Sequence, residues 1–248
     1  MPARKFQSDP PNLYGKYRPS RGEWLELEGD DREDSLETAY AEGFLPYSGN
    51  PGDCRHLFYR ARSVRVRVDA FSMDKKRRYA RRLWQGFGQQ RTELTKSVFL
   101  KRHGPGVAGL AREWMRSRFG KPYLDPARMD YILGRPFLKQ ILAWTLGEEL
   151  IAYALIVPSR QGAHYWFVFY KNNDPSSLPS GEGYLIDFLH WCKERNLRYA
   201  YLGTAYGEAS RYKTRGLEGV EFWDGEQWNS DRMQLRRLRQ QDETQSQP

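Results

Sequence analysis

The chain has 248 residues, 39% of them apolar and 29% charged, with 8 Trp, 16 Tyr and 12 Phe; this length allows one large domain or two small ones, and so many aromatics exclude a disordered or fibrous chain. The longest apolar run, Leu150 to Val157, falls far short of the roughly 20 residues a membrane helix needs, and Met1 to Asp9 lacks the apolar stretch of a signal peptide, so a cytoplasmic protein with no membrane partner is expected. The net charge is +9, and two cysteines, Cys54 and Cys192, exclude a disulfide framework and a four-cysteine zinc site.

Residues 1–22, rich in Pro, Gly and Arg, read as an extended arm. An acidic stretch from Glu26 to Glu42 follows, with Asp34 to Ala41 as a short helix, and then a turn or loop over Pro46 to Asp53. The next block is the basic one. Residues 55–102 hold 15 basic and 3 acidic residues, whereas residues 1–54 hold 6 and 11. A local excess of this kind points to a polyanionic partner. Within it, residues 62–71 alternate strictly. Val64, Val66 and Val68 point one way and Arg65, Arg67 and Asp69 the other, the pattern of a half-buried strand. Ser72 is placed to cap a helix whose first turn carries Asp74. That helix contains Lys75, Lys76, Arg77, Arg78, Arg81 and Arg82, with Ala80, Leu83, Trp84 and Phe87 as its apolar side.

A second amphipathic helix is expected over residues 106–119. Phe137 to Leu146 and Glu149 to Val157 read as a hairpin around Gly147-Glu148. Residues 163–170, almost wholly apolar and aromatic, read as a central strand. A polar loop from Lys171 to Gly183 leads into a helix from Tyr184 to Arg195, and residues 198–204 form another strand. A late hairpin turns at Asp224-Gly225. A basic helix runs from Asp231 to Arg239, and the Gln-rich residues 240–248 are expected to be disordered. The order of these elements places a mixed sheet against helices in residues 104–230.

Two segments offer chemistry. Ser180-Gly181-Glu182-Gly183 stands between a strand and a helix, where glycines let backbone N–H groups approach a phosphate. Tyr201-Leu202-Gly203-Thr204 is followed by Arg211-Tyr212-Lys213-Thr214-Arg215; Gly203 at a strand end admits a substrate close to the backbone, and Lys213 and Arg215 suit an anionic group. The histidines are scattered, and Cys54-Arg55-His56 has no second pair, so no metal is expected.

The chain resembles the arginyl-tRNA–protein transferases and their bacterial leucyl-transferring relatives. The resemblance rests on Ser63 to Ser72 followed by the Arg-rich helix, on Tyr165 to Tyr170, and on Tyr199-Ala200-Tyr201-Leu202-Gly203-Thr204 continuing to Tyr212-Lys213. It implies a GNAT-like, acetyltransferase-type mixed α/β sheet flanked by helices over residues 104–230, preceded by an N-terminal basic region over 23–103. It also implies transfer of an amino acid, Arg or Leu, from aminoacyl-tRNA to the N-terminal amine of a protein or peptide, with no cofactor beyond the charged tRNA. By the same resemblance Gly203, Tyr212 and Lys213 border the reaction. Tyr201, Thr204, Arg215, Ser180, Gly181 and Gly183 are then expected to bind substrate, and the helix cations from Lys75 to Arg82 to hold tRNA phosphates. The family's cysteine cluster is reduced here to Cys54, so no metal or iron–sulfur centre is expected. Two other readings stay open: an acetyl-CoA-dependent N-acetyltransferase and a non-catalytic RNA-binding module on the same fold.

Overall fold

The computed structural model describes residues 4–7, 22–27, 33–48, 54–119, 126–171 and 181–245. The N-terminal part supplies β1 (Arg4–Gln7), β2 (Glu23–Glu26), helix α1 (Glu33–Ala41), β3 (Phe44–Pro46) and β4 (Leu57–Arg60). The four strands pair antiparallel in the order β1-β2-β4-β3. Too short to show an alternation of their own, they are held by packing. Leu25, Phe44, Leu45 and Phe58 join Leu36 and Tyr40 of α1 in one buried cluster, which also takes in Phe137, Val157 and Tyr201.

The larger sheet begins with β5 (Ser63–Arg67). Helix α2 (Lys75–Gln85), β6 (Gln90–Thr95), α3 (Lys96–Phe119) and α4 (Pro126–Gly134) follow. Next come β7 (Gln140–Leu146), β8 (Glu149–Pro158), β9 (Gly162–Tyr170), α5 (Gly181–Glu194) and β10 (Tyr199–Thr204). After a 3-10 turn at Glu208–Lys213, β11 (Val220–Trp223), β12 (Trp228–Asn229) and α6 (Arg232–Gln245) close the chain. The eight strands lie in the order β12-β11-β5-β10-β9-β8-β7-β6. All pairs are antiparallel except β9 with β10, which are parallel and joined through α5. This is the expected mixed sheet flanked by helices. One face carries α5 with Trp84 of α2 and Leu235 of α6; the other carries α3 and α4. The 23–103 segment contributes β5 and β6 to this sheet, and residue 103 lies inside α3.

Several sequence expectations need correction. Strand β5 is buried on both faces from Ser63 to Val66, and Arg67 at its end stays exposed. Arg65 is buried, its Nε 2.7 Å from a Glu221 carboxylate oxygen. Its guanidinium lies 3.9 and 4.1 Å from the ring centroids of Tyr199 and Trp228. The α2 cap is Asp74 rather than Ser72: its carboxylate accepts the Arg77 N–H at 2.7 Å. Helix α3 starts ten residues before its expected start at 106 and runs through Gly104-Pro105-Gly106. Phe99, Val107 and Leu110 bury together on β7–β9, so packing overrides local propensity. Helix α5 starts at Gly181, inside the expected loop. Helix α6 continues to Gln245, where disorder was expected from residue 240. Of the expected arm, Arg4–Gln7 pairs with β2, and residues 1–3 and 8–21 lie outside the described residues.

Candidate active site

The parallel pairing of β9 and β10 is brief. Tyr199, Ala200 and Tyr201 match Gly162, Ala163 and His164, and there it ends. Strand β10 bulges between Tyr201 and Gly203 against β5. Beyond that point Tyr165–Tyr170 stays paired to β8 alone, so the two parallel strands part. Gly203 sits at the parting with φ +83°, a left-handed backbone that side-chain-bearing residues rarely adopt. A β-carbon there would stand 3.3 Å from Lys213 Nζ and 4.0 Å from His164 Nε2. Both groups therefore converge on the bare face of Gly203.

Lys213 ends the 3-10 turn and donates from Nζ to the Thr204 carbonyl at 2.9 Å. Burial, reinforced by Arg239 and Arg118, lowers its ammonium from 10.5 to about 8. The turn is fixed from two sides. Arg77 of α2, 2% exposed, donates to the Tyr212 carbonyl. The segment leading into α2 also runs beside the turn's exit, with Asp74 N–H donating to Gly216 O at 2.9 Å and Glu218 N–H to Ser72 O at 2.9 Å. On the other side α6 contributes Arg239, which donates to Thr214 Oγ1 at 2.7 Å, and Asp242, which accepts the Gly207 N–H at 2.9 Å. Asp242 also pairs with Arg62 at 2.6 Å. A rigid ammonium beside open backbone, ringed by arginines, can stabilise a developing oxyanion.

No family model matches the chain, and no curated protein does. Solved structures similar to it include the C-terminal domain of a putative lysylphosphatidylglycerol synthetase from Agrobacterium fabrum, at 13% identity over 68% of this chain and 51% of that one, with a TM-score of 0.44. L-PGS from Bacillus licheniformis is similar at 13% identity over 88% and 71%, with a TM-score of 0.45. FemX is similar at 11% identity over 82% and 63%, with a TM-score of 0.46. The chain spans about half the length of the first of these and less than two thirds of the third.

Of the residues singled out in the sequence, Gly203, Thr204, Tyr212 and Lys213 come together at the strand parting. Tyr201 is buried beneath α1, stacked on Tyr40 with centroids 4.5 Å apart. Ser180 lies outside the described residues. Gly181 and Gly183 face side chains: a β-carbon at Gly181 would stand 2.5 Å from the Tyr170 hydroxyl, and one at Gly183 would stand 1.8 Å from Trp84 Cδ1. Glu182, in the first turn of α5, takes the place an anionic ligand would take. Its carboxylate pairs with Arg77 at 2.9 Å and Arg215 at 3.7 Å. On α2, Lys75, Lys76, Arg78 and Arg82 are exposed, Arg81 is half-buried and Arg77 is buried, so Arg77 leaves the outward basic set. His164, Arg118 and Arg239 also stand at this site, and no motif in the sequence singles them out for it. A histidine inside an aromatic strand was the available signal for the first; nothing local marks the two arginines. Among the described residues no three His, Cys, Asp or Glu side chains stand together as a metal site, and no helix is long and apolar enough to cross a membrane.

Gly203→Ala should cost activity more than stability. The added carbon crowds Lys213 Nζ and forces a left-handed φ, a strain of about 1–2 kcal/mol. A kcat loss of tenfold or more with a melting temperature within a few degrees of the parent is the expected pair of results.

Proposed function

We propose that the chain is an aminoacyl-tRNA-dependent acyltransferase that moves an aminoacyl group, Arg or Leu, onto the N-terminal amine of a protein or peptide. The observation that carries this reading is the join between two features. The Lys213 ammonium faces the bare backbone of Gly203, and the turn that holds it is tied through Arg77 to a helix that exposes Lys75, Lys76, Arg78 and Arg82. In the reaction the neutral amine attacks the ester carbonyl and a C–N bond forms. The C–O bond to the tRNA 3′ oxygen breaks, and the proton the nitrogen loses ends on that oxygen. Lys213 holds the carbonyl oxygen as its charge grows. Binding of donor and acceptor side by side supplies the rest, because the ester is already activated.

Lys75, Lys76, Arg78 and Arg82 would lie along tRNA phosphates, with Tyr79, 57% exposed between them, available to stack on an unpaired base. Lys75→Gln with Lys76→Gln should weaken tRNA binding and lower the slope of log affinity against log salt by about 1–2. An unchanged slope would remove this helix from the tRNA interface.

Transfer itself is tested with charged total tRNA and a peptide beginning with Asp or Glu, read by mass spectrometry. A gain of one aminoacyl residue is expected and names the donor. Acetylation on adding acetyl-CoA instead would replace the donor class, and RNA binding without either product would leave a binding module. Glu182 at the α5 N-terminus and the sealed face of Gly183 speak against a pyrophosphate held in the first turn of that helix.

A further inference from the structure

His164 is a buried polar group at this site that nothing so far explains. It stands on β9 opposite Tyr201, at the last paired position before the strands part. It is 2% exposed, and neither ring nitrogen has a hydrogen-bond partner among the described residues. Buried polar groups in folded proteins are almost always satisfied, so an imidazole with both nitrogens unmet marks a place where a polar ligand or water belongs. Its Nε2 is aimed at the bare face of Gly203, the same face that Lys213 approaches from the 3-10 turn.

We propose that the space over Gly203 seats the amino group of the acceptor, and that His164 accepts a hydrogen bond from that nitrogen while Lys213 faces the carbonyl oxygen. The inference rests on the transfer reading above and names the acceptor side of the same site. Three features fit a primary amine. The two groups meet over a residue with no side chain, so a small nitrogen with its own N–H bonds reaches both. Lys213 from the turn and Tyr40 from α1, its ring centroid 5.8 Å away, stand beside the imidazole. The ring is neutral: burial, reinforced by Lys213, lowers it from 6.5 to about 3. A neutral imidazole carries one N–H and one lone pair; with the proton on Nδ1, Nε2 turns its lone pair over Gly203, where an N–H donor can use it. Through the reaction His164 lends this hydrogen bond, aligns the nitrogen lone pair with the carbonyl carbon and ends neutral; the proton goes to the tRNA 3′ oxygen as before.

The test uses the full chain labelled with 15N at its four histidines, the His164 resonances being those absent from His164→Gln. A peptide with a free N-terminus should shift the His164 ring nitrogens, and its N-acetylated twin should not. No shift with the free peptide, or the same shift with both, overturns the inference whether or not transfer is observed. An amine-specific shift in a protein that transfers nothing from charged tRNA would sink the aminoacyl reading and leave the amine seat standing. In the transfer assay His164→Leu should lower kcat about 10²-fold. His164→Gln, which returns an acceptor oxygen, should recover about a tenth of the parent rate or more. Equal loss in both variants overturns the hydrogen-bonding role.

Discussion

Lys213→Met should lower kcat for peptide aminoacylation by about 10²–10³-fold, the usual loss when one oxyanion donor is removed from a preorganised site. The protein should stay folded. In the parent, Lys213 is held against burial and the repulsion of Arg239 and Arg118, and its ammonium is lowered to about 8. Methionine keeps most of the stem's packing, and the removal of that repulsion offsets the hydrogen bond lost at the Thr204 carbonyl, so the variant should melt within a few degrees of the parent. The same lowering shapes the pH profile. An N-terminal amine must be neutral to attack, and its pKa is about 7.7–8.0. Lys213 must be charged to hold the oxyanion, and it loses its proton as pH rises through about 8. The rate therefore rises as the amine deprotonates and falls as the lysine does, which gives a narrow maximum near pH 8. Lys213→Met should retain only the rising limb. A parent rate that keeps climbing to about pH 10 would show that the lysine does not act as a cation.

What the sequence made legible follows the range of the interactions involved. Gly147 and the Asp224-Gly225 pair mark tight turns, and both hairpins form there. Asn196 ends α5 with a left-handed φ of 54°, a conformation Asn tolerates through local hydrogen bonding. The aromatic run on β9 has packed layers on both faces, Tyr165 in the cluster under α5 and Phe169 in the cluster under α3 and α4, as a segment apolar on both faces requires. The N-terminal sheet was not legible. Strands of three and four residues such as Phe44–Pro46 and Leu57–Arg60 carry no period, and their burial depends on α1 and on Phe137, far along the chain. The site divides in the same way. Gly203, Tyr212 and Lys213 sit within eleven residues and stand out together. The approach of His164 depends on where two parallel strands stop pairing, and that of Arg118 and Arg239 on helices packed from elsewhere. Arg77 shows the limit of composition. Six cations in ten residues read as one basic surface, yet the helix turns this one inward, where it binds Glu182 and the Tyr212 carbonyl.

Gly183→Ala should destabilise the protein by about 1–3 kcal/mol, as overpacking does, and lower its melting temperature by on the order of 5 °C. Local propensity argues the other way, since alanine in a helix is favoured over glycine by about 1 kcal/mol. The contact decides the sign. The new carbon would stand 1.8 Å from Trp84 Cδ1 and 2.2 Å from its Nε1, far inside any van der Waals distance. Trp84 cannot turn aside, because it is 8% exposed and its ring meets that of Tyr184 edge-on with centroids 5.7 Å apart. Helix α2 must then lift away from α5. Since α2 carries the exposed cations and, through Arg77, the carbonyl of Tyr212, both tRNA affinity and kcat should fall with stability. Trp84→Leu supplies the missing volume. The double variant should therefore be less destabilised than the sum of the two single ones, a coupling of about 0.5–3 kcal/mol as found for residues in contact. The outcome also separates two uses of the same glycine. A glycine kept so that a phosphate can approach the α5 backbone would tolerate alanine without loss of melting temperature and would show no coupling to Trp84. A glycine kept so that two helices can meet shows both effects, and the indole lying against Gly183 commits this one to the second use.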